Sequence, residues 1–316
     1  MKTQLIEKIL QGDVRAAGRL MRDIEDETPD AIEELKSIYP YTGRAHIIGV
    51  TGPPGVGKST LIDALITSFR RESMTVGVIA IDPTSIFTGG ALLGDRVRMQ
   101  KHSTDQGVFI RSLAARGWTG GLSKATTSMI HVMDAMNKDI ILVETVGAGQ
   151  AEIDILRIAD TTILVLTPGM GDAIQMMKAG ILEGSDIFVI NKAGKDGAEN
   201  LKMELQVMLE VKGKLRGEWE PGIILAEAVY GKGIEELVRE ILRHREFLTS
   251  SGELEKCRRE RAKLELTTAI EVSLKSYINN RIDKHCLEKL LNDLVQKKTN
   301  PYSAALGIIN RSIKLD

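Results

Sequence analysis

The sequence is poor in cysteine, in net charge and in long apolar runs. Its two cysteines, Cys257 and Cys286, form no Cys-x-x-Cys pair, so neither a disulfide framework nor a zinc knuckle is expected. The five histidines are scattered without an i, i+4 pair, which disfavours a transition-metal site. The 42 basic and 43 acidic residues nearly cancel, which disfavours binding of nucleic acid or an anionic membrane through a basic patch. No apolar run approaches the roughly 18 residues of a bilayer-spanning helix.

The beginning of the sequence lacks the pattern of a secretory leader. The stretch "MKTQLIEKILQGDVRAAGRL" has charges at helical intervals, without an apolar core or a small-residue cleavage site. Together with the scarcity of cysteine, this pattern predicts a cytoplasmic protein in a reducing compartment.

The spacing of apolar residues divides the chain into three predicted parts. Residues 1–42 have apolar side chains at helical spacing and end in the breaker "YPYTG", which predicts an N-terminal helical extension. Residues 43–249 alternate short β-branched runs with helical patterns. Residues 250–316 show helical patterns alone, and Asn300 and Pro301 are suited to begin the last helix. For that arm, a solvated helical surface and an apolar dimerisation arm both fit the pattern.

The central part predicts an α/β fold, namely a mainly parallel sheet with helices on both faces, and the stretch "GPPGVGKST" within it predicts that this is a P-loop NTPase sheet. Parallel strands are covered on both faces, so they read as continuous apolar runs rather than as alternating ones. Seven such runs occur between helical patterns: "AHIIGV", "TVGVIAID", "GVFIRS", "DIILVETV", "TTILVLT", "DIFVINK" and "GIILAEA".

A glycine-rich loop follows the first of these strands. The stretch "GPPGVGKST" supplies Gly52-x-x-x-x-Gly57-Lys58-Ser59 between the strand "AHIIGV" and the helix "TLIDALITSFRR", which is the context that a P-loop requires. Glycines let backbone N–H groups turn toward phosphates, and the helix N-terminus adds a favourable partial charge. Lys58 is expected to reach the β- and γ-phosphates, and Ser59 to bind Mg²⁺. The predicted nucleotide contacts of this loop are Gly52, Gly55, Val56, Gly57, Lys58, Ser59 and Thr60.

Acidic residues near neighbouring strands predict the rest of a magnesium site. Asp82 ends "VGVIAI" and Glu144 ends "DIILV", both at the sheet edge that carries the P-loop. Asp95, in "GGALLGDRVR", is a third candidate ligand. An isolated acid at a strand end is usually turn chemistry, but three acids in register with a P-loop favour Mg²⁺. Behind Glu144, the N–H of Gly147 is placed to contact the γ-phosphate and to move when that phosphate leaves.

Five motifs together closely resemble the methylmalonyl-CoA mutase-associated GTPases of the MeaB/ArgK type. They are "GPPGVGKST", "DPTSIFTGGALLGDR", "ETVGAGQAE", "PGMGDAIQMMKAGILEGSD" and "GKGIEEL", and they cover about residues 46–237 in order and spacing. The resemblance implies a homodimeric GTPase that binds GTP, GDP and Mg²⁺. As its partner it implies an adenosylcobalamin-dependent acyl-CoA mutase. The GTPase would act as a chaperone that gates cofactor delivery to this mutase and protects it from inactivation.

Matching these motifs residue by residue implies three switch segments, the third of which couples partner binding to hydrolysis. In order along the chain, the implied switch residues are Asp82 and Asp95, then Glu144 and Gly147, then Gln175 and Lys178. The implied catalytic group consists of Lys58, Asp82, Asp95, Glu144 and Gly147. Without the resemblance, a solvated helix position is an even alternative for Lys178. Gln150 could orient water, and a helix start explains it equally well.

The base-reading loop departs from the family pattern. The family loop resembles Asn-Lys-Ala-Asp, whose acid accepts hydrogen bonds from guanine N1 and N2, whereas here Asn191, Lys192 and Ala193 precede Gly194. Loss of a charged acceptor costs about 1.5–3 kcal/mol per bond, so guanine preference is expected to weaken. Asp196 is our hypothesis for a replacement, since the glycines around it let the loop turn inward.

A second departure lies in "LAEAVYGKG", where the family tends to have a Ser-Ala pair before the glycines. Ala226 and Glu227 remove a small hydroxyl near the base, whereas Ala228 still offers a backbone N–H. Base choice therefore stays open between guanine and adenine.

Two other functions also stay open. One is an ATP-dependent kinase or transport-associated ATPase, because related sequences are labelled as arginine/ornithine transport ATPases. The other is a nucleotide-binding module without turnover, against which intact Lys58, Ser59, Asp82 and Glu144 argue. No basic residue is identifiable as an arginine finger, which favours a switch stimulated by its partner.

Overall fold

The computed structural model describes residues 2–83, 99–115, 123–145, 151–170, 179–212, 218–281 and 284–312. Contacts between residues divide the chain into two compact units, Met1–Arg259 and Glu260–Asp316. The three-part division predicted from the sequence, with boundaries after residues 42 and 249, stays a prediction.

The first unit is built on a parallel sheet. Its strands are β1 (His46–Thr51), β2 (Val76–Pro83), β3 (Val108–Ala115), β4 (Ile140–Glu144), β5 (Thr161–Leu166), β6 (Ile187–Asn191) and β7 (Gly222–Ala226). Among the described residues these seven strands form one sheet in the order β3-β2-β4-β1-β5-β6-β7, and every pairing is parallel. Each apolar run of the sequence supplies one strand, so the predicted parallel α/β fold is confirmed.

The register of the sheet brings the predicted site segments to one edge. Strand β1 lies at the centre between β4 and β5, and Val50 pairs with Glu144 across the β1–β4 ladder. Since all strands run in the same direction, the loops after β1, β4, β6 and β7 leave the sheet at its carboxyl edge. Ligands of open α/β sheets bind at this edge.

Helices connect the strands and continue beyond them. They are α1 (Lys2–Leu10), α2 (Val14–Glu25), α3 (Pro29–Ile38), α4 (Lys58–Arg71), α5 (Ser123–Ala135), α6 (Ala151–Ile158), α7 (Ala179–Gly184), α8 (Ala198–Lys212), α9 (Ile234–Ser250), α10 (Glu253–Arg281), α11 (Lys284–Val295) and α12 (Pro301–Ser312). Within the described ranges, none of them has the length and apolar character needed to cross a membrane.

Helices α4 and α9 cover one face of the sheet. Leu65 and Phe69 of α4 and Ile241 of α9 are fully buried in the same cluster as Ile48 of β1. Burial of each such side chain contributes about 1.5–3 kcal/mol. The helix that begins at the P-loop is thereby fixed against the sheet along its length.

The N-terminal helices share the core on the opposite face. Leu20 and Met21 of α2 belong to one buried cluster with Met129 and Met133 of α5 and with Ile79 of β2. The helical structure predicted for residues 1–42 is therefore present, and it packs onto the core of the sheet.

A buried polar group lies at the amino edge of the sheet, opposite the predicted site. Thr161 Oγ1 lies 2.8 Å from His46 Nε2 and 2.8 Å from His244 Nδ1. All three side chains are buried. Histidines that are scattered in the sequence thus meet through one threonine, and the contact joins β1, β5 and α9.

The second unit contains the end of α10 together with α11 and α12. As predicted, the described part of this unit is helical, and Pro301 is the first residue of α12. Asn300 caps that helix as predicted, since its Oδ1 accepts a hydrogen bond from Ser303 N at 2.9 Å. Large apolar side chains of this unit are exposed, including Leu266, Ile270, Leu291, Val295, Tyr302 and Leu306. The predicted role of the arm in dimerisation stays a prediction.

Candidate functional site

The loop after β1 has a backbone that only glycine accommodates at two positions. Gly52 has a φ of 139°, and a Cβ atom there would lie 2.2 Å from Val165 O. Gly57 has a φ of 95°, and its Cβ would lie 2.5 Å from Asn191 Nδ2. Gly55 also has a positive φ, 79°, but the space around it is open. The loop is therefore packed tightly at both ends and open at its middle, where a ligand can approach.

Lys58 lies at the junction of this loop and α4. It is the first residue of the helix, it is buried, and its Nζ donates to Gly52 O at 2.7 Å and to Pro53 O at 3.0 Å. The ammonium group and the helix N-terminus thus add positive charge at the same point, which suits a phosphate group. Val56 of this loop is buried, and Thr60 lies in the first turn of α4.

Ser59 and Glu144 meet at the carboxyl edge of the sheet. The hydroxyl of Ser59 donates to Glu144 Oε1 at 2.7 Å, and both side chains are buried. The parallel register explains this contact, because Glu144 pairs with Val50, which lies just before the loop. Hydroxyl and carboxylate oxygens are ligands that Mg²⁺ prefers, so this pair fits a magnesium site.

Asn191, the last residue of β6, joins two loops. Its Nδ2 donates to Val56 O at 2.9 Å, and its Oδ1 accepts from Ala228 N at 3.1 Å. The next residue, Lys192, donates from Nζ to Gly55 O at 2.7 Å. The predicted phosphate loop and the predicted base-reading loops are thus in direct contact.

Glu227 occupies the space beside Gly194, a relationship that the sequence analysis missed. A Cβ atom on Gly194 would lie 2.8 Å from Glu227 Oε2. Glu227 Oε1 accepts a hydrogen bond from Lys232 Nζ at 2.7 Å, and the Glu227 backbone N–H donates to Lys232 O at 3.1 Å. The hydrogen bond with Glu227 raises the pKa of Lys232 above its ordinary value. The sequence does contain a signal for this relationship. The predicted base-reading loop after β7 contains an acid, Glu227, whereas the predicted base-reading loop after β6 has Gly194 where the family pattern has an acid.

The other predicted site residues are less fully placed. Asp82 lies near the end of β2 at the carboxyl edge, and only its backbone is described. Asp196 is exposed in the turn before α8. The remaining predicted residues lie outside the described residues, and they are Asp95, Gly147, Gln150, Gln175 and Lys178.

Comparison with known proteins identifies the family. The family model of the methylmalonyl Co-A mutase-associated GTPase MeaB matches residues 17–283. The chain belongs to the MeaB family. The resemblance inferred from the five motifs is thereby confirmed.

Individual relatives agree with this family. A Pyrococcus abyssi (strain GE5 / Orsay) protein, named only provisionally as a GTPase, is 50% identical over 315 residues, or 99% of this chain and 97% of its own. GTPase ArgK of Escherichia coli K12 is 32% identical over 312 residues, 96% of this chain and 93% of that protein. The mitochondrial methylmalonic aciduria type A homolog of Mus musculus is 35% identical over 210 residues, 66% of this chain and 51% of that protein.

A solved structure supports the fold over nearly the whole length. The crystal structure of an LAO/AO transport system kinase superposes with a TM-score of 0.72 at 25% sequence identity and covers 97% of this chain and 96% of its own. Taken with the family match, these findings make this MeaB-family chain a P-loop GTPase that binds guanine nucleotides.

Proposed function

We propose that this GTPase is a chaperone for an adenosylcobalamin-dependent acyl-CoA mutase of the methylmalonyl-CoA mutase type. It gates delivery of the cofactor to the mutase and protects the mutase from inactivation. The family description, which names association with methylmalonyl-CoA mutase, is the single observation that carries this proposal. The similarity to a mouse protein named for methylmalonic aciduria also supports it.

The nucleotide site in this proposal follows from the P-loop geometry. Backbone N–H groups of residues 55–60 bind the phosphates, and Lys58 exchanges its bonds to loop carbonyl groups for bonds to phosphate oxygens. Ser59 and Glu144, with Asp82 and Asp95, would hold Mg²⁺, whose charge offsets that of the phosphate oxygens. The hydrogen bond of 2.7 Å between Ser59 and Glu144 supports this assignment.

The switch in this proposal links the γ-phosphate to the partner. Glu144 contacts the P-loop helix through Ser59, so a change at the phosphates reaches the segment that follows β4 and contains Gly147. Gln175 and Lys178, in the motif "DAIQMMKAG", are assigned to coupling with the mutase because that motif matches the family. Hydrolysis by the chain alone is slow, and the bound partner stimulates it.

A second copy of the chain is the other proposed partner. Exposed apolar side chains of the second unit, such as Leu266, Ile270 and Leu291, would be buried in a homodimer. Sedimentation of the purified chain tests this proposal, and a monomer at micromolar concentration would contradict it.

Co-elution with the mutase tests the main proposal. The chain is mixed with an adenosylcobalamin-dependent methylmalonyl-CoA mutase and passed over a sizing column with GDP, with a non-hydrolysable GTP analogue, or without nucleotide. We expect a complex whose amount depends on the nucleotide. Lys58→Ala is expected to lose that nucleotide dependence. Failure of the two proteins to co-elute in all three states would contradict the chaperone role.

An ATP-dependent transport kinase is the second candidate function. The likeness to the LAO/AO transport system kinase over 97% of this chain favours it. It requires adenine binding, so preference of the chain for ATP over GTP in a hydrolysis assay would favour it over the GTPase chaperone.

A further inference from the structure

The base-reading loop has no acid of its own at the position where guanine needs an acceptor. Guanine presents two adjacent donors, N1–H and the 2-amino group, whereas adenine presents an acceptor at N1 and no donor at C2. A carboxylate therefore accepts two hydrogen bonds from guanine and repels the N1 lone pair of adenine. Gly194, the third residue after Asn191, has no side chain that could supply this carboxylate.

The base end of the site lies at the carboxyl ends of β6 and β7. Neighbouring strands are about 4.8 Å apart, so β6 lies about 10 Å from β1 and its P-loop, with β5 between them. A nucleotide whose phosphates occupy the P-loop can extend its base to the loops after β6 and β7. Asn191 and Ala228 hold these two loops together through a hydrogen bond of 3.1 Å.

The carboxylate of Glu227 lies at this end of the site, beside Gly194. A Cβ atom on Gly194 would be 2.8 Å from Oε2 and 3.2 Å from Cδ of Glu227. Glu227 belongs to the loop after β7, and its carboxylate therefore extends to the position that the Cβ atom of a side chain at residue 194 would occupy. Glycine at position 194 leaves this space to the carboxylate, which would have to shift if residue 194 had a side chain.

Lys232 holds Glu227 in this position. Its ammonium group donates to Oε1 at 2.7 Å, whereas Oε2 is the oxygen nearer Gly194. The backbones of the two residues also pair as a short antiparallel bridge. Because the Lys232 side chain is 69% exposed, water screens the ion pair, and the carboxylate can turn to a ligand at small cost.

We infer that Glu227 accepts the hydrogen bonds of guanine N1–H and of the 2-amino group, in place of the acid that residue 194 lacks. Gly194 and Glu227 are thus a reciprocal pair, in which the loop after β7 supplies the acid and the loop after β6 supplies the space. The inference rests on the GTPase activity of the family and is independent of the mutase. Asp196, which is exposed in the turn before α8, is the rival acid.

Calorimetric titration with three nucleotides tests this assignment. GDP, ADP and xanthosine diphosphate are titrated with Mg²⁺ into the full chain, Glu227→Ala and Glu227→Gln. Xanthine has a carbonyl group in place of the 2-amino group, so the amide of Gln can donate to it while accepting from N1–H. We expect Glu227→Ala to lower the affinity for GDP about tenfold or more. The affinity for ADP is not expected to fall, because the repulsion of adenine N1 disappears with the carboxylate. Glu227→Gln is expected to shift the preference from GDP toward xanthosine diphosphate by at least about tenfold.

Three further variants sharpen the result. Glu235→Gln, a matched change of an exposed acid in the first turn of α9, is expected to keep the guanine preference. The double variant Gly194→Asp with Glu227→Ser moves the acid to the other loop and is expected to retain the guanine preference. The variant Asp196→Ala removes the rival acid. If this variant no longer prefers GDP over ADP, the inference is overturned and Asp196 is the acid that reads guanine.

Two other results would overturn the inference. One is a Glu227→Ala variant with the same ratio of GDP to ADP affinity as the unmodified chain. The other is an unmodified chain that binds ADP as tightly as GDP. Unchanged thermal unfolding midpoints establish that the variants are folded. Failure to bind the mutase would contradict the chaperone role and leave this inference standing.

Discussion

Ser59 donates a hydrogen bond to Glu144, with 2.7 Å between Oγ and Oε1. The contact joins the first turn of α4 to the end of β4, two segments that the central strand holds in register. Ser59, which follows the P-loop lysine, is therefore directly connected to Glu144, the first residue of the predicted second switch.

Glu144→Gln tests the magnesium part of the site. The substitution keeps the size and the hydrogen-bond acceptor but removes the negative charge, so we expect GTP hydrolysis to fall about 100-fold. Hydrolysis and the Mg²⁺ dependence of GDP binding are measured together, with Glu72→Gln, at the exposed end of α4, as the control. Unchanged hydrolysis together with an unchanged Mg²⁺ requirement would contradict the assignment.

Asn191→Ala tests the connection between the loops. Its side chain is 3% exposed, and the substitution leaves Val56 O and Ala228 N without this partner. We expect the free energy of unfolding to fall by about 1–3 kcal/mol, as measured by chemical denaturation. We also expect binding of GDP and ADP to weaken equally, since the residue organises both loops. A selective loss of GDP binding would show instead that Asn191 reads the base.

Gly52→Ala and Gly55→Ala form a matched pair for the loop backbone. Both residues have positive φ, but a Cβ on Gly52 would meet the backbone oxygen of Val165, whereas Gly55 faces open space. We expect Gly55→Ala to cost about 1 kcal/mol of stability and Gly52→Ala to cost at least about 2 kcal/mol more. Equal unfolding midpoints for the two variants would contradict this packing.

The ion pair between Asp105 and Arg70 is expected to make the free energy of unfolding depend on pH. Arg70 donates to both of its carboxylate oxygens, at 2.8 and 3.0 Å, and fixes the end of α4 to the turn before β3. The hydrogen bond from Arg70 lowers the pKa of Asp105 below its ordinary value of 3.8. A folded-state pKa below the unfolded one stabilises the fold above pH 3.8, and this contribution disappears as the pH falls further.

Asp105→Asn is therefore expected to lower the free energy of unfolding by about 1 kcal/mol at pH 7, with little difference left near pH 2. Chemical denaturation at a series of pH values measures this, with the exposed Asp26→Asn as the control. A difference that is the same at both pH values would show that the ion pair does not contribute.

The sheet and the P-loop were predictable because their signals are local. Continuous apolar runs of β-branched residues specify buried parallel strands, and all seven runs became strands. The glycines of the P-loop specify their own backbone conformation, so Gly52 and Gly57 could be assigned from spacing alone. Lys58 and Ser59 then follow at fixed positions in the first turn of α4.

The contacts that the sequence analysis missed are tertiary. In the sequence, Glu227 marks only the loss of a hydroxyl group, because its contact with Gly194 depends on how the loop after β7 folds back toward the loop after β6. The meeting of His46 with His244 through Thr161 likewise requires the strand order. Neither contact has a periodic signal, since each joins residues from separate elements.

The rate of GTP hydrolysis with and without the mutase tests the central claim most directly. The chain is assayed alone and with a saturating adenosylcobalamin-dependent methylmalonyl-CoA mutase, and ATP is assayed in parallel. The account predicts slow hydrolysis that favours GTP over ATP and that rises at least about tenfold with the mutase. A rate that the mutase leaves unchanged, with ATP hydrolysed as fast as GTP, would contradict it.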